Sequence, residues 1–437
     1  MTYAPHTAAQ QRMTVDALGP RMPIYTPEFA ADPHGHYRAM REQYGDLVPV
    51  EIWPGLTATL VIGYNTALAI GNDTAHYSSD PTRWERTLTP ELRSAPVMGM
   101  LKHRRNALFS DADTHKRYRD ATNYALDNVD LGAVRKSVGK IASRHINRFI
   151  SRKAPDGYGY ADLLAEYAQP LAFEVLCTIV GCPAHLGEQV AAASGMLFEG
   201  ADPDTVAAVD RSFGETFGEL AALKQTMPSD DIATRLLQHP AGLDADEFVA
   251  NSLTFFSAGS EIPQNWIANT LCLILTDDRY LTTRNTLQLS TRTALEEVLH
   301  TDPPLANYCA LYPRGPQQIE IMRHGHLTPI WLDANQPVLV SMAACTTSPE
   351  VQVANATFTE ARHNLAWGLG AHECPAGAQR AAKIIAEEAI DYLLDCIPEV
   401  ETNFPEGRPQ WRPGPFHRAL AALPVRFPPG PPIPYVG

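Results

Sequence analysis

Apolar residues first recur along the chain with a period of two. Val48, Val50 and Ile52 alternate with other residues, and Thr57, Thr59 and Val61 repeat the pattern beyond Pro54-Gly55, so residues 45–64 are expected to form a β-hairpin. Residues 81–110 keep no period and read as a long loop. From about 112 to 280 the spacing becomes mainly helical. One helix starts at Pro170, whose missing N–H costs nothing in a first turn, and runs through Leu171, Val175 and Ile179 to a stop at Gly181. A longer one begins near Asp244 and continues to about Leu275. Strand-like composition returns over 328–344, with Ile330, Leu332, Val338 and Val340. A last helix, from about Ala378 to Asp395, places Ala382, Ile385, Ala389 and Leu393 on one face and is closed by Pro398.

Helices therefore fill the middle of the chain, small sheets lie near both ends, and no stretch has the composition of a linker. A length of 437 residues would accommodate about three domains. The pattern instead predicts a single large domain over 21–437, mainly α with small β-sheets. Residues 1–20 read as a flexible segment and the proline-rich 428–434 as disordered.

Composition narrows the function. With hydrophobic residues at 45% and charged residues at 19%, the chain can bury a large core. No apolar run reaches about 18 residues and the N-terminus has no signal core, so a membrane span is not expected and a cytoplasmic location is. A net charge of −14 disfavours nucleic acid as a partner; it speaks to solubility before it speaks to a cationic substrate. The seven cysteines are scattered and odd in number, which fits reduced thiols. The one close pair, Cys177 and Cys182, has no second pair to complete a zinc site.

The segment richest in chemistry is Trp367-Gly368-Leu369-Gly370-Ala371-His372-Glu373-Cys374-Pro375-Ala376-Gly377. Its glycines permit a tight turn with positive backbone angles, and a helix begins just after Cys374. A thiolate beside a helix N-terminus is stabilised by the dipole and by free N–H groups, as an iron ligand requires. This segment resembles the cysteine-ligand loop of the cytochrome P450 family, FGxGxHxCxG. It matches at Gly368, Gly370, His372 and Cys374, departs at Trp367, where Phe is usual, and has Ala376 in place of the last Gly, a position where Gly or Ala is usual.

The resemblance extends over nearly the whole chain. Residues 170–183, PLAFEVLCTIVGCP, look like the family's mid-chain helix and turn. His115 and Arg119, one helical turn apart, resemble the HxxxR that grips one haem propionate, and Arg314 resembles the arginine that grips the other. The resemblance thus implies haem b bound by the Cys374 thiolate, with Trp367, Gly368 and His372 beside it. Ala258 to Pro263 resembles the (A/G)GxxT oxygen-binding segment. Gly259 would let this helix pass close to the haem, and Pro263 would leave the Gly259 carbonyl without its partner, opening a kink.

Two departures bear on mechanism. The family's Glu-x-x-Arg is here Glu297 to His300, and a histidine cannot reproduce the five-donor fork of arginine. Arg362 is the candidate replacement partner for Glu297, on a rearranged scaffold. The acid–alcohol pair keeps Glu261 but has Ile262 in place of threonine. Proton delivery then falls to Glu261, to water or to the substrate, or the oxidant is peroxide. The expected activity is oxidation in natural-product biosynthesis. Cross-linking of aromatic side chains in a short peptide is favoured over hydroxylation of a small intermediate, and a non-catalytic haem protein is the other class. Trp84, Arg86, Met98, Phe255 and Ala258 are the expected substrate contacts, with Met100, Asn251 and residues 196–199 nearby. Glu85, Glu199 and Glu261 are the candidates to meet a cationic group. Electrons are expected from a ferredoxin and its reductase, docking on a basic patch of Lys102, Arg104, Arg105, Lys116, Arg117, Arg135, Lys136 and Lys383.

Overall fold

The computed structural model describes residues 12–198, 203–283, 290–351 and 364–434. Its strands are β1 (Met22–Pro23), β2 (Leu47–Trp53), β3 (Leu56–Val61), β4 (Tyr77–Ser78), β5 (Gly159–Asp162), β6 (Asn307–Pro313), β7 (Gln317–Arg323), β8 (His326–Leu332), β9 (Val338–Ser341), β10 (Glu401–Thr402) and β11 (Pro424–Phe427). The expected hairpin forms between β2 and β3, with Val48 opposite Leu60 and Val50 opposite Ala58. Gly55 turns it at φ +81°. The hairpin sits in a six-stranded sheet of order β1-β2-β3-β9-β6-β4, in which β3 runs parallel to β9. β10, β11 and β5 form a second sheet, and β7 pairs with β8.

The helices that position the site are α1 (Ala112–Asp127), α2 (Leu131–Ile146), α3 (Gln169–Val180), α4 (Pro203–Thr226), α5 (Ala245–Thr276), α6 (Thr291–Thr301) and α7 (Ala376–Cys396). Their ends follow local chemistry. Gly181 caps α3 in the left-handed conformation, φ +79°. Asp244 and Glu247 close a reciprocal capping box at the start of α5. α5 then runs for 32 residues and packs against α3, α4, α6 and α7. One core cluster joins Trp266 and Leu271 of α5 to Leu171 of α3 and to Ile385 and Leu393 of α7; another surrounds the large sheet. The result is a single domain, mainly α with small sheets. No described helix is long and apolar enough to cross a membrane.

Three readings of the sequence change. Residues 81–110 contain single helical turns at Thr82–Glu85, Pro90–Arg93 and Met98–Leu101, too short to show a period. Within the segment expected to be flexible, Val15 and Leu18 are buried in the sheet's core and the Trp331 N–H bonds the Met13 carbonyl, so packing starts before residue 21. The 428–434 run is docked: Asn147 exchanges two hydrogen bonds with the Ile433 backbone, and the Gly430 N–H reaches the Ile150 carbonyl.

Glu247 ties the first turn of α5 to α1. Its buried carboxylate accepts from Arg105, Arg117 and the Tyr118 hydroxyl. Burial raises this carboxyl, but Arg117, Tyr118 and the Asp244 N–H outweigh it and hold it at about 2. A depressed carboxyl stabilises the fold above its unfolded value of 4.5, and that contribution is lost as pH falls toward about 2. Glu247→Gln is therefore expected to lower unfolding free energy by about 2 kcal/mol at pH 7. Urea titrations at pH 7 and pH 3 should show the wild-type advantage shrinking in acid.

Candidate functional site

The turn ahead of Cys374 folds as its glycines allow. Gly368 and Gly370 adopt φ of +81° and +65°, a region that residues with a Cβ resist. A Cβ on Gly370 would also stand 2.2 Å from the Gly71 carbonyl oxygen. The turn is closed by backbone bonds from Gly368 to Leu365 (2.8 Å), from Cys374 to Trp367 (2.7 Å) and from Glu373 to Gly370 (3.2 Å). The Gln379 amide, one turn into α7, donates to the Cys374 carbonyl at 2.8 Å. Cys374 thus stands just before the N-terminus of α7, the positive end of its dipole. Burial pushes its thiol up to about 11, while Arg119 draws it down. Such a thiol is neutral at pH 7 and gives up its proton only to a partner such as a metal ion.

Cationic groups converge on this turn. The His115 ring packs on that of His372 with centroids 4.2 Å apart. Arg119 donates to the Glu373 carbonyl. Arg314, at the end of β6, pairs with Asp111 at 2.8 Å, and Asp111 also accepts from the Ser78 hydroxyl and the Ser79 N–H. The structure therefore gathers His115, Arg119, Arg314, His372 and Cys374, and adds Asp111. That residue carried no signal of its own in the sequence, because its partner Arg314 lies about two hundred residues away (203 apart). Burial lowers both histidines, His372 to about 4, and neighbouring cations lower them further. Arg119 and Arg314 are the cations here, facing Glu373 and Asp111 respectively, while His115 and His372 are neutral at pH 7, and His115 Nε2 is buried without a partner. Two arginines and an unmet buried ring nitrogen supply donors that fit a ligand carrying carboxylates, as haem does.

The α5 segment shows a second opening. Ser257 and Ala258 are exposed although Phe256 and Pro263 on either side are buried, and Phe255 is half-buried. α5 is assigned as one helix through Pro263. Gly259 does not turn its bare side to the Cys374 loop: a Cβ there would lie 2.8 Å from Leu176 of α3, so this glycine lets two helices approach. Glu261 is paired with Arg412 at 2.5 Å, and Ile262 beside it is half-buried.

Other expected residues find different partners. Glu297 is bound by Arg279 at 2.5 Å and by the Tyr280 hydroxyl at 2.9 Å. Arg279 supplies the cation that His300 cannot; Arg362 lies outside the described residues. His300 is half-buried, which lowers its pKa while Glu297 raises it. Trp367 packs edge-on against Trp266 of α5, with centroids 5.5 Å apart. Trp84 and Met98, expected in the pocket, are buried in the core beside the sheet, with Trp84 against Tyr312. Arg86 is exposed. Glu85 accepts from the His103 N–H and Glu261 is neutralised, so neither offers a free carboxylate; residue 199 lies outside the described residues. Most of the supposed basic patch is matched by acids. Lys102 pairs with Asp210, Arg105 with Asp244 and Glu247, Lys116 with Asp120, Arg117 with Glu247, Arg135 with Glu388 and Lys383 with Glu296.

No protein-family model matches the chain. It is 28% identical over 434 residues to the cytochrome P450 monooxygenase PikC of Streptomyces venezuelae, covering 96% of this chain and 95% of PikC. It is 25% identical to 6-deoxyerythronolide B hydroxylase of Saccharopolyspora erythraea, over 91% of this chain and 97% of that protein. Over nearly its whole length the chain is similar to cytochrome P450 enzymes. The P450 fold is shared with CYP154C4 from Streptomyces sp. ATCC 11861, at a TM-score of 0.81 and 22% identity over 95% of this chain and all (100%) of that one. It is shared also with CxnD, described as a P450 for C–S bond formation in chuangxinmycin biosynthesis, at 0.76 and 21% over 94% of this chain and 98% of CxnD. The named relatives are a monooxygenase and a hydroxylase, so the likeness is to oxidoreductases that hold haem through a cysteine thiolate.

If Arg279 is the working partner of Glu297, Arg279→Ala should cost about 1–2 kcal/mol, since among the described residues the buried carboxylate then keeps the Tyr280 hydroxyl alone and the arginine it loses is half-exposed. Urea unfolding of the two proteins measures it. A loss within error would show that Glu297 is held by other groups.

Proposed function

We propose that the Cys374 thiolate would hold the iron of a haem and that the protein, working as a cytochrome P450, oxidises a natural-product intermediate with electrons from a ferredoxin and its reductase. The observation that carries the assignment is the meeting of a half-buried thiol with Arg119, Arg314, His115 and His372 around one glycine-shaped turn. His115 and Arg119 would hold one haem propionate and Arg314 the other, with His372, Trp367 and Gly368 bordering the ring. Bound there, haem supplies the site of dioxygen activation and the oxidising power. The protein's part is to orient the substrate, limit water and move protons. Ala258 and Phe255, on the accessible stretch of α5, would face the substrate, and Arg86 would meet it from the 81–110 segment. Gly259 and Pro263 shape that stretch, because proline leaves the Gly259 carbonyl without an amide donor one turn on. Glu261 would carry protons, since Ile262 has no hydroxyl to do so.

The reaction favoured by the named relatives is oxygen insertion into a small molecule. A second reading, oxidative linking of aromatic side chains in a short peptide through C–C or C–N bonds, is favoured by Ile262: phenol, indole or imidazole groups bring removable hydrogens of their own. A bond-forming relative of the same fold, CxnD, is compatible with it.

The reduced, carbon monoxide-treated protein should show the strongly red-shifted Soret band of thiolate ligation, and Cys374→Ala should lose it. A band at the position of a neutral-ligand haem in the wild type would overturn the assignment. Turnover of small intermediates and of Tyr-, Trp- or His-containing peptides then separates the two reactions by mass. A product heavier by one oxygen supports insertion, and one lighter by two hydrogens supports linking.

A further inference from the structure

Away from the Cys374 turn, ionisable side chains concentrate where residues 411–418 meet α5. Arg412 binds Glu261 at 2.5 Å. Burial raises the Glu261 carboxyl, but His417 first and Arg412 second more than offset this and keep it below its ordinary value, so His417 faces the same carboxylate. Arg412 and His417 also line a small cleft together with His34, Tyr37, Asp302 and Arg418. The cleft reaches solvent near His34 and Asp302, which pair at 3.3 Å and are each 29% exposed. Most of its surface is apolar, but His34, Asp302, Arg412 and His417 would give an ordered water polar partners.

The groups around this cleft are not equivalent. Arg418 is fixed by Asp302 at 2.8 Å, by the Trp411 ring 3.4 Å away, and by Asn269, which holds its carbonyl. Arginines keep their protons, so Arg412 and Arg418 can orient and charge the path but cannot relay along it. Of the side chains that both line the cleft and face Glu261, only His417 can take a proton at one ring nitrogen and release one at the other. Burial and Arg412 lower its pKa, while Glu261 raises it, so at rest it is neutral and its protonated form is a ready donor. The neighbouring Ile262 offers no hydroxyl.

We propose that His417 is the residue through which protons pass from this cleft to Glu261. The inference rests on the reading of Glu261 given above. In the step, protonated His417 gives an N–H proton to a water in the cleft, and that water gives one of its own to the Glu261 carboxylate, so one N–H bond breaks, one O–H bond forms on Glu261 and the water is restored. Neutral His417 then takes a proton from solvent through water in the cleft. Arg412 keeps Glu261 anionic and in place between transfers, and Asn265 shares the carboxylate's side of α5. His417 acts through Glu261 and is a positioning and supply residue, not one that touches the reacting atoms.

The test uses the haem-loaded protein with a ferredoxin, its reductase and NADPH, without substrate, and follows what becomes of the oxygen consumed. Complete reduction to water needs more protons than release as superoxide or peroxide. In His417→Gln the share reduced to water should fall by about tenfold, in line with the loss of one positioned proton-transfer group. In the wild type that share should decline as pH rises through the His417 titration, and in the variant it should not respond there. Both proteins should keep the thiolate carbon monoxide band. Its loss from the variant alone would make the role structural and overturn the proposal, whereas its absence from the wild type would instead overturn the Cys374 assignment. The pair is also read without turnover. The NMR titration midpoint of His417 should drop in Glu261→Gln, because the carboxylate that favours its charged form is gone. An unmoved midpoint, or an unchanged water share with an unchanged pH profile, overturns the proposal.

Discussion

A helix buried through the middle of a protein carries a charged or strongly polar side chain at least cost where a neighbouring layer supplies a partner. α5 carries several, and their partners set how the rest of the molecule docks. Glu247 draws in Arg105 and the α1 residues Arg117 and Tyr118. Glu261 draws in Arg412. The Trp266 indole N–H takes the Leu295 carbonyl of α6, and Asn269 takes the Arg418 carbonyl. Apolar burial supplies the drive to pack, but it is non-directional. These hydrogen-bonded pairs fix which face of α5 meets α1, which meets α6 and which meets the C-terminal segment. The exposed stretch at Ser257 and Ala258 lies between two such anchored regions, so it is held open by a rigid frame.

The turn at Cys374 obeys a different constraint. Its shape comes from glycines that tolerate positive φ and from a contact with Gly71 that leaves no room for a Cβ. Its donors are only partly satisfied within the protein: two histidines are held neutral by burial and nearby cations, one of them with an unmet ring nitrogen, and two arginines stand beside them near Asp111 and Glu373. An arrangement of that kind is costly without its ligand and favourable with it, which couples cofactor binding to the stability of the turn. The cysteine is poised in the same sense, with burial holding the thiol protonated and Arg119 favouring the thiolate.

What could be read in the sequence was what depends on near neighbours. The β2–β3 hairpin, the cap of α3 at Gly181, the start of α5 at Asp244 and the glycine turn before Cys374 are all local in their causes. The short turns within 81–110 escaped because one turn of helix has no period to detect. Val15, Leu18 and the 428–434 run looked unstructured because their partners, such as Asn147 for Ile433, are distant in sequence. The same holds for the site. The spacing of His115 and Arg119 was visible, but Asp111 with Arg314, Glu261 with Arg412 and Gly259 against Leu176 are pairings that only the folded chain brings about. Trp84 and Met98 were assigned to the pocket on their location in an aperiodic segment, yet large apolar side chains near a sheet are drawn into its core.

The exchange at Glu297 shows what such a motif conserves physically. A carboxylate 5% exposed needs a cation and a second donor, and it is indifferent to where along the chain they originate. With His300 at the expected position, the positive charge comes from Arg279, just beyond the end of α5, and the second bond from Tyr280. The partners now join α6 to the segment following α5, where an arginine at 300 would have met Glu297 within α6 itself. The departure at Ile262 has the same logic. The hydroxyl is absent, while Glu261 keeps Arg412 and His417 around it, so the chemistry lost at one position is accompanied by ionisable groups at another. In both places the charge balance of a buried carboxylate survives although the local sequence pattern does not, and reading the pattern alone would have counted two losses where the fold has made two substitutions.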